Sequence, residues 1–187
     1  MKYCFAYIFI FFTFLIECYA QSSLEAHIHG EAKLNIVFEG QELLIELQSP
    51  SYNLVGFEHE PKTKNQHELV NNTIELLRDF ENIADISSQA NCKTVDVSVS
   101  TSMRGIHKDE HHKDEHHKDE HHDSEKETHS EFTAIYSINC EKPEDFKSIE
   151  LELFKTFSLM EEVKVQTIIQ GKQSFGELIS DNPKLSF

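Results

Sequence analysis

Apolar and polar residues alternate along two neighbouring stretches early in the chain. Leu34, Ile36 and Phe38 share one face of a strand over 33–38, and Leu43, Ile45 and Leu47 share one face of a second over 42–48. With Glu39-Gly40-Gln41 between them, this period of two predicts a hairpin with one buried side. Ser49-Pro50 ends the second strand. Residues 53–61 then read as a loop whose apolar residues pack down and position something, with core packing accounting for Leu54, Val55 and Phe57. From Lys64 or Asn65 the period lengthens: Leu69, Val70, Ile74, Leu77 and Phe80 form one stripe, with Glu68, Asn71, Glu75 and Arg78 elsewhere, which predicts the main helix. His67, in its first turn, reads as a surface residue.

Alternation returns over 93–101 and 131–139, two strands of a longer hairpin. Glu141-Lys142-Pro143-Glu144 is a turn, followed by an extended strand over 149–153 and a short helix over 154–160. Strands over 163–170 and 173–179 surround a tight turn at Gly171-Lys172. In chain order, two hairpins flank a central, longer one. The fold class is α+β: antiparallel β-hairpins packed with one main α-helix, and a long disordered His-rich hairpin loop.

That loop, an insertion at 102–130, changes the picture from fold to chemistry. Three copies of His-Lys-Asp-Glu-His run from His107 to His111, His112 to His116 and His117 to His121, and His122 follows; with His129 this holds eight of the twelve histidines. In a helical turn, imidazoles four residues apart stand on one face, within reach of one metal ion. Zn²⁺ suits such ligands, and the intervening Asp109, Glu110, Asp114, Glu115, Asp119 and Glu120 are able to hydrogen-bond the second ring nitrogen or ligate themselves. A run so free of apolar residues builds no core, so it is expected to be disordered without metal and to gain structure on binding. Outside the repeat, His27 and His29 stand two apart in Glu25-Ala26-His27-Ile28-His29-Gly30 and, on an extended chain, point to the same side as half of a zinc site. His59, between Glu58 and Glu60, is the third candidate. Binding at any of these imidazoles weakens as pH falls through about 6.5, where free imidazole takes up a proton.

Residues 1–20 carry one early positive charge, Lys2, an apolar run from Cys4 to Ile16, and Cys18 and Ala20 before Gln21, the pattern of a cleaved secretory signal peptide. The run is short for a bilayer span and no second one follows, so no membrane anchor is expected after cleavage, and 21–187 is expected to fold as one domain. A net charge of −16 disfavours nucleic acid and favours cations. Cys4 and Cys18 leave with the signal peptide. Cys92 and Cys140 remain, mirrored about the hairpin with an index sum centred on His116, and an oxidising compartment would pair them. Two isolated thiolates as metal ligands is the weaker alternative, since no second cysteine stands near either.

Nothing points to an enzyme. There is no nucleophile elbow and no glycine-rich phosphate loop, and His-Lys-Asp-Glu-His lacks the glutamate that follows the first histidine of a zinc-protease helix.

The stretch HIHGEAKLNIVFEGQELLIELQSPSYNLVGFEHEP, a single cysteine after the first helix, the histidine-rich insertion, FTAIYSINC and LFKTFSLMEEVKVQ occur in this order. Together they resemble the ZrgA-like family of periplasmic zinc-uptake proteins of Gram-negative bacteria, over nearly the whole chain after the signal peptide. The resemblance implies a periplasmic zinc-binding protein that helps acquire zinc when it is scarce, with His27, His29 and His59 as ligands in the folded part. A membrane zinc transporter system is the partner such acquisition calls for. Two other readings use the same residues: a metal buffer or tolerance protein, and a copper or nickel chaperone.

Overall fold

The computed structural model describes residues 28–103 and 129–187. The expected signal peptide, His27, and the repeat histidines His107, His111, His112, His116, His117, His121 and His122, with the disorder expected around them, lie outside the described residues.

Strands β1 (Glu31–Glu39) and β2 (Glu42–Pro50) form the first hairpin, in a register that places Ile36 opposite Ile45 and Leu34 opposite Leu47. Two helices follow β2: the short α1 (Ser51–Val55) and, after Pro61, the main helix α2 (Lys64–Arg78). Thr63 starts α2 with a capping box, its side chain and that of Gln66 each satisfying the other's backbone N–H. Strand β3 (Ala84–Ile86) is brief. Strands β4 (Cys92–Thr101) and β5 (Glu131–Cys140) make the long hairpin. Strand β6 (Ser148–Leu151) and helix α3 (Leu153–Thr156) lead to the hairpin of β7 (Glu162–Ile169) and β8 (Lys172–Ile179), and β9 (Lys184–Ser186) closes the chain.

Six strands make one sheet in the order β4-β5-β2-β1-β7-β8, and β3-β6-β9 make a second. The α+β class stands. The hairpin between β1 and β2 is the spatial centre, whereas the longer β4–β5 hairpin lies at one edge, and β1 joins β7 in parallel, a pairing that hairpins alone do not predict. One face of the sheet carries the core: Leu34, Ile36, Phe38, Leu43, Ile45, Leu47, Phe132, Tyr136 and Val165 are buried there and pack with Val70 and Leu77 of α2.

Several local expectations are corrected. The stretch read as a loop after Pro50 contains α1. The helix expected over 154–160 is the four-residue α3. The turn between β7 and β8 is Gln170-Gly171, both at positive φ (47° and 76°), which matches the twist of a two-residue hairpin. Leu69, expected in the buried stripe, is 42 % exposed, while Thr73 is buried in the stripe between Val70 and Leu77. The constant index sum of the β4–β5 pairing holds from Cys92 to Thr94 and then shifts by one at Val95, a bulge that turns this side chain outward.

The Cys92–Cys140 disulfide is present, with Cα atoms 3.9 Å apart and the two residues directly opposed in the ladder.

Tyr136 is fully buried, and its hydroxyl donates to the Leu77 carbonyl at 2.6 Å. That carbonyl belongs to the last turn of α2, where intrahelical donors run out. Burial, and secondarily the charge of Asp79, pushes the phenol's pKa far above its ordinary value, so it is a donor at every physiological pH. Tyr136→Phe is expected to destabilise by about 1–2 kcal/mol through the stranded carbonyl, visible as a lower urea midpoint at unchanged slope. An unchanged midpoint would show that the carbonyl finds another donor.

Candidate metal centre

The strand registers bring chemistry-bearing residues to one end of the large sheet. Glu31 pairs with Glu162, Pro50 with Glu131, and Thr101 with Phe132, so the start of β1, the end of β2, the end of β4 and the starts of β5 and β7 all lie together. His29 precedes β1, α1 and Glu58 follow β2, and His129 precedes β5. The disulfide closes the opposite end of the β4–β5 hairpin.

Glu58 is the centre of the arrangement. Its Oε1 lies 3.4 Å from Nε2 of His29, and its Oε2 lies 3.3 Å from Nδ1 of His129. The carboxylate side chain is only 16 % exposed, against about half for each ring (53 % and 51 %). Oε1 is buried and accepts no hydrogen bond from the described residues, although it is within ionic reach of His29. A buried carboxylate oxygen without a donor is costly, and a cation between it and the imidazole would satisfy it.

The separations suit zinc. Bonds of about 2.0–2.1 Å give a tetrahedral ligand-to-ligand edge of about 3.3–3.4 Å, the spacing found here on both sides of the carboxylate. Each ring faces a different oxygen, however, and among the described residues no three His, Cys, Asp or Glu side chains converge closely enough to enclose an ion.

Local structure holds each donor. Residues 28–31 form a turn, with Glu31 N–H donating to the Ile28 carbonyl at 3.1 Å, so His29 sits in a bend and not on the extended chain expected for the His27/His29 pair. Gly30 makes the bend at φ +87°; a Cβ there would come 3.1–3.2 Å from the Glu161 side chain. The His29 ring stacks on Tyr52 of α1, centroids 4.0 Å apart and 10° from parallel. Gly56 ends α1 in the left-handed conformation, its N–H donating to the Tyr52 carbonyl at 2.8 Å, and turns the chain toward Glu58. On the other side, Ser130 fastens the loop base through backbone and side chain: its carbonyl accepts from Ser51 N–H at 2.9 Å, and its hydroxyl donates to the Glu58 carbonyl at 2.7 Å.

His59 lies apart from these contacts. Its ring packs on Phe57, centroids 4.9 Å apart, and its Nδ1 is 2.8 Å from the Glu60 carbonyl oxygen. A carbonyl only accepts, so Nδ1 carries a proton, and in the neutral ring that leaves the lone pair on Nε2, the tautomer a metal ligand needs. Glu31 is engaged by Lys164 at 2.7 Å, a contact that raises the lysine's pKa and occupies the carboxylate. Tyr52, Asn53, Ser130 and Glu58 itself were not singled out as site residues by sequence reasoning; the one available signal was the apolar content of 53–61, which marked a segment that packs and positions.

The family model for ZrgA family zinc uptake proteins matches residues 26–187. No curated protein matches the chain.

Proposed function

Because the chain belongs to the ZrgA family of zinc uptake proteins, we propose that it is a periplasmic zinc-binding protein, exported by a cleaved signal peptide, that captures Zn²⁺ as cargo and contributes to zinc acquisition without catalysing a reaction. The folded site forms around Glu58, with His29 and His129 each beside one of its oxygens and drawn together by the ion, and with His27 and His59 as further candidate imidazoles. The repeat histidines between His107 and His122 capture additional zinc more weakly. A membrane zinc transporter system takes the cargo on. The observation that carries this reading is the buried Glu58 carboxylate held between two imidazoles at the base of the histidine-rich insertion. Among the described residues no helix is long and apolar enough to cross a membrane.

Donors held by backbone turns bind with little ordering cost, whereas each repeat site must order a chain segment as it binds. Calorimetric zinc titration of the intact protein beside one lacking residues 107–122 is the test. The intact protein is expected to give one tight phase and several weak ones, and the deletion to remove the weak phases alone. Loss of every phase on deletion would overturn the folded site; a deletion without effect would overturn loop capture.

A further inference from the structure

We infer that Asn53 is the positioning residue of the folded site, fixing His29 without touching the metal; the inference rests on the reading of the site proposed above. Asn53 lies in α1 and is 1 % exposed. Its Oδ1 accepts from the Gly30 N–H at 2.7 Å. Its Nδ2 donates to the Glu31 carbonyl at 2.9 Å and to Ser49 Oγ at 3.2 Å, with the Met160 sulfur 4.0 Å away. The amide orientation is dictated by its partners, since an N–H meets only an acceptor and a carbonyl only a donor.

This one side chain therefore grips the N–H of Gly30 and the carbonyl of Glu31, one backbone group of each of the two residues that follow His29. Gly30 is also held from the far side, its carbonyl accepting from the N–H groups of Glu161 and Glu162 at 2.8 and 2.9 Å. The bend that aims His29 Nε2 at Glu58 is thus locked between α1 and the start of β7. Asn53 adjoins Tyr52, on which the His29 ring stacks, so the same short helix sets the backbone and the ring plane. Buried amides that satisfy every hydrogen bond specify one local geometry, and partners one step removed from a metal set how well its ligands are aimed.

Residue 53 is isolated by two substitutions in the full chain. Asn53→Leu removes both the acceptor and the donors while keeping the branch at Cγ. Asn53→Asp keeps the acceptor for Gly30 but sets an oxygen against the Glu31 carbonyl. Zinc affinity is read by competition with a chromophoric chelator, folding by the unfolding midpoint of the metal-free protein, and ligand geometry by the visible absorption of the Co²⁺-loaded protein. The tight phase is expected to weaken at least about tenfold, with the weak phases unchanged and the tetrahedral Co²⁺ bands reduced. A merely structural residue would lower the midpoint and leave the ratio of tight to weak affinity and the Co²⁺ spectrum of the folded fraction as they were. If Asn53→Leu does not fold, Asn53→Asp decides the matter on the same readouts. A folded variant whose tight phase stays within twofold of the parent, while His29→Ala abolishes that phase, overturns the inference alone. If His29→Ala also leaves the tight phase intact, the reading of the site falls and this inference with it.

Discussion

Replacing His29 by alanine is expected to weaken the tightest zinc phase on the order of a hundredfold, equivalent to about 2.7 kcal/mol, while leaving the fold intact. The side chain is 53 % exposed and sits in a turn before β1, so its loss uncovers one face of the half-buried Tyr52 and removes the imidazole beside the buried Glu58 Oε1, without opening the core. Glu58→Gln separates charge from shape. The amide keeps the volume of the carboxylate, and the Ser130 hydroxyl bonds to the Glu58 backbone carbonyl, so the anchor of the loop base survives. What disappears is the anionic oxygen at 3.4 Å from His29 and 3.3 Å from His129. A drop in affinity comparable to that of His29→Ala is expected, because a neutral amide is a poor zinc ligand and cannot balance the cation's charge. Chelator competition on the two variants, with urea midpoints as the folding control, gives the answer. A Glu58→Gln protein that binds zinc as tightly as the parent would remove Glu58 from the ligand set.

The Cys92→Ala, Cys140→Ala double variant is expected to lose up to about 4 kcal/mol of stability in the chain-entropy treatment, for a loop whose ends are 48 positions apart. The segment closed by the bridge includes the whole histidine-rich insertion, so the unfolded chain gains most when the link is cut. Cys140 is fully buried, which makes alanine the gentler replacement there. The bridge lies at the end of the β4–β5 hairpin away from Glu58, roughly 30 Å along the strands, so the tight zinc phase should persist in the folded variant. Thiol counting on the denatured parent should find no free thiols among the cysteines after residue 20. A double variant with the parent's urea midpoint would show that the cross-link constrains nothing the fold does not already constrain.

The strands were legible because a period of two is written locally: Leu34, Ile36 and Phe38 against Leu43, Ile45 and Leu47 need no distant partner to be read, and the mirrored cysteines located the long hairpin. Boundaries failed where local signals compete. Phe154, Phe157 and Leu159 fit a helix or an extended segment equally by spacing, and tertiary contacts left only the four residues of α3 helical. Leu69 matched the helical stripe by spacing, yet the groove that α2 fills against β4 and the sheet decided which neighbours turn inward.

By itself the sequence determined the candidate chemistry: imidazoles in a regular repeat, two more just before Gly30, and an acidic chain that attracts cations. It also carried the glycine that the bend after His29 requires, since φ there is +87° and a Cβ would crowd the Glu161 side chain at 3.1–3.2 Å. Which carboxylate among many would stand between which histidines was decided by the tertiary structure alone. Glu58 and His129 are 71 positions apart and meet because β5 pairs with β2 and not only with β4, bringing the loop base beside the end of β2. That strand order follows from which apolar faces bury together across the whole sheet, a global sum over contacts that no stretch of sequence contains.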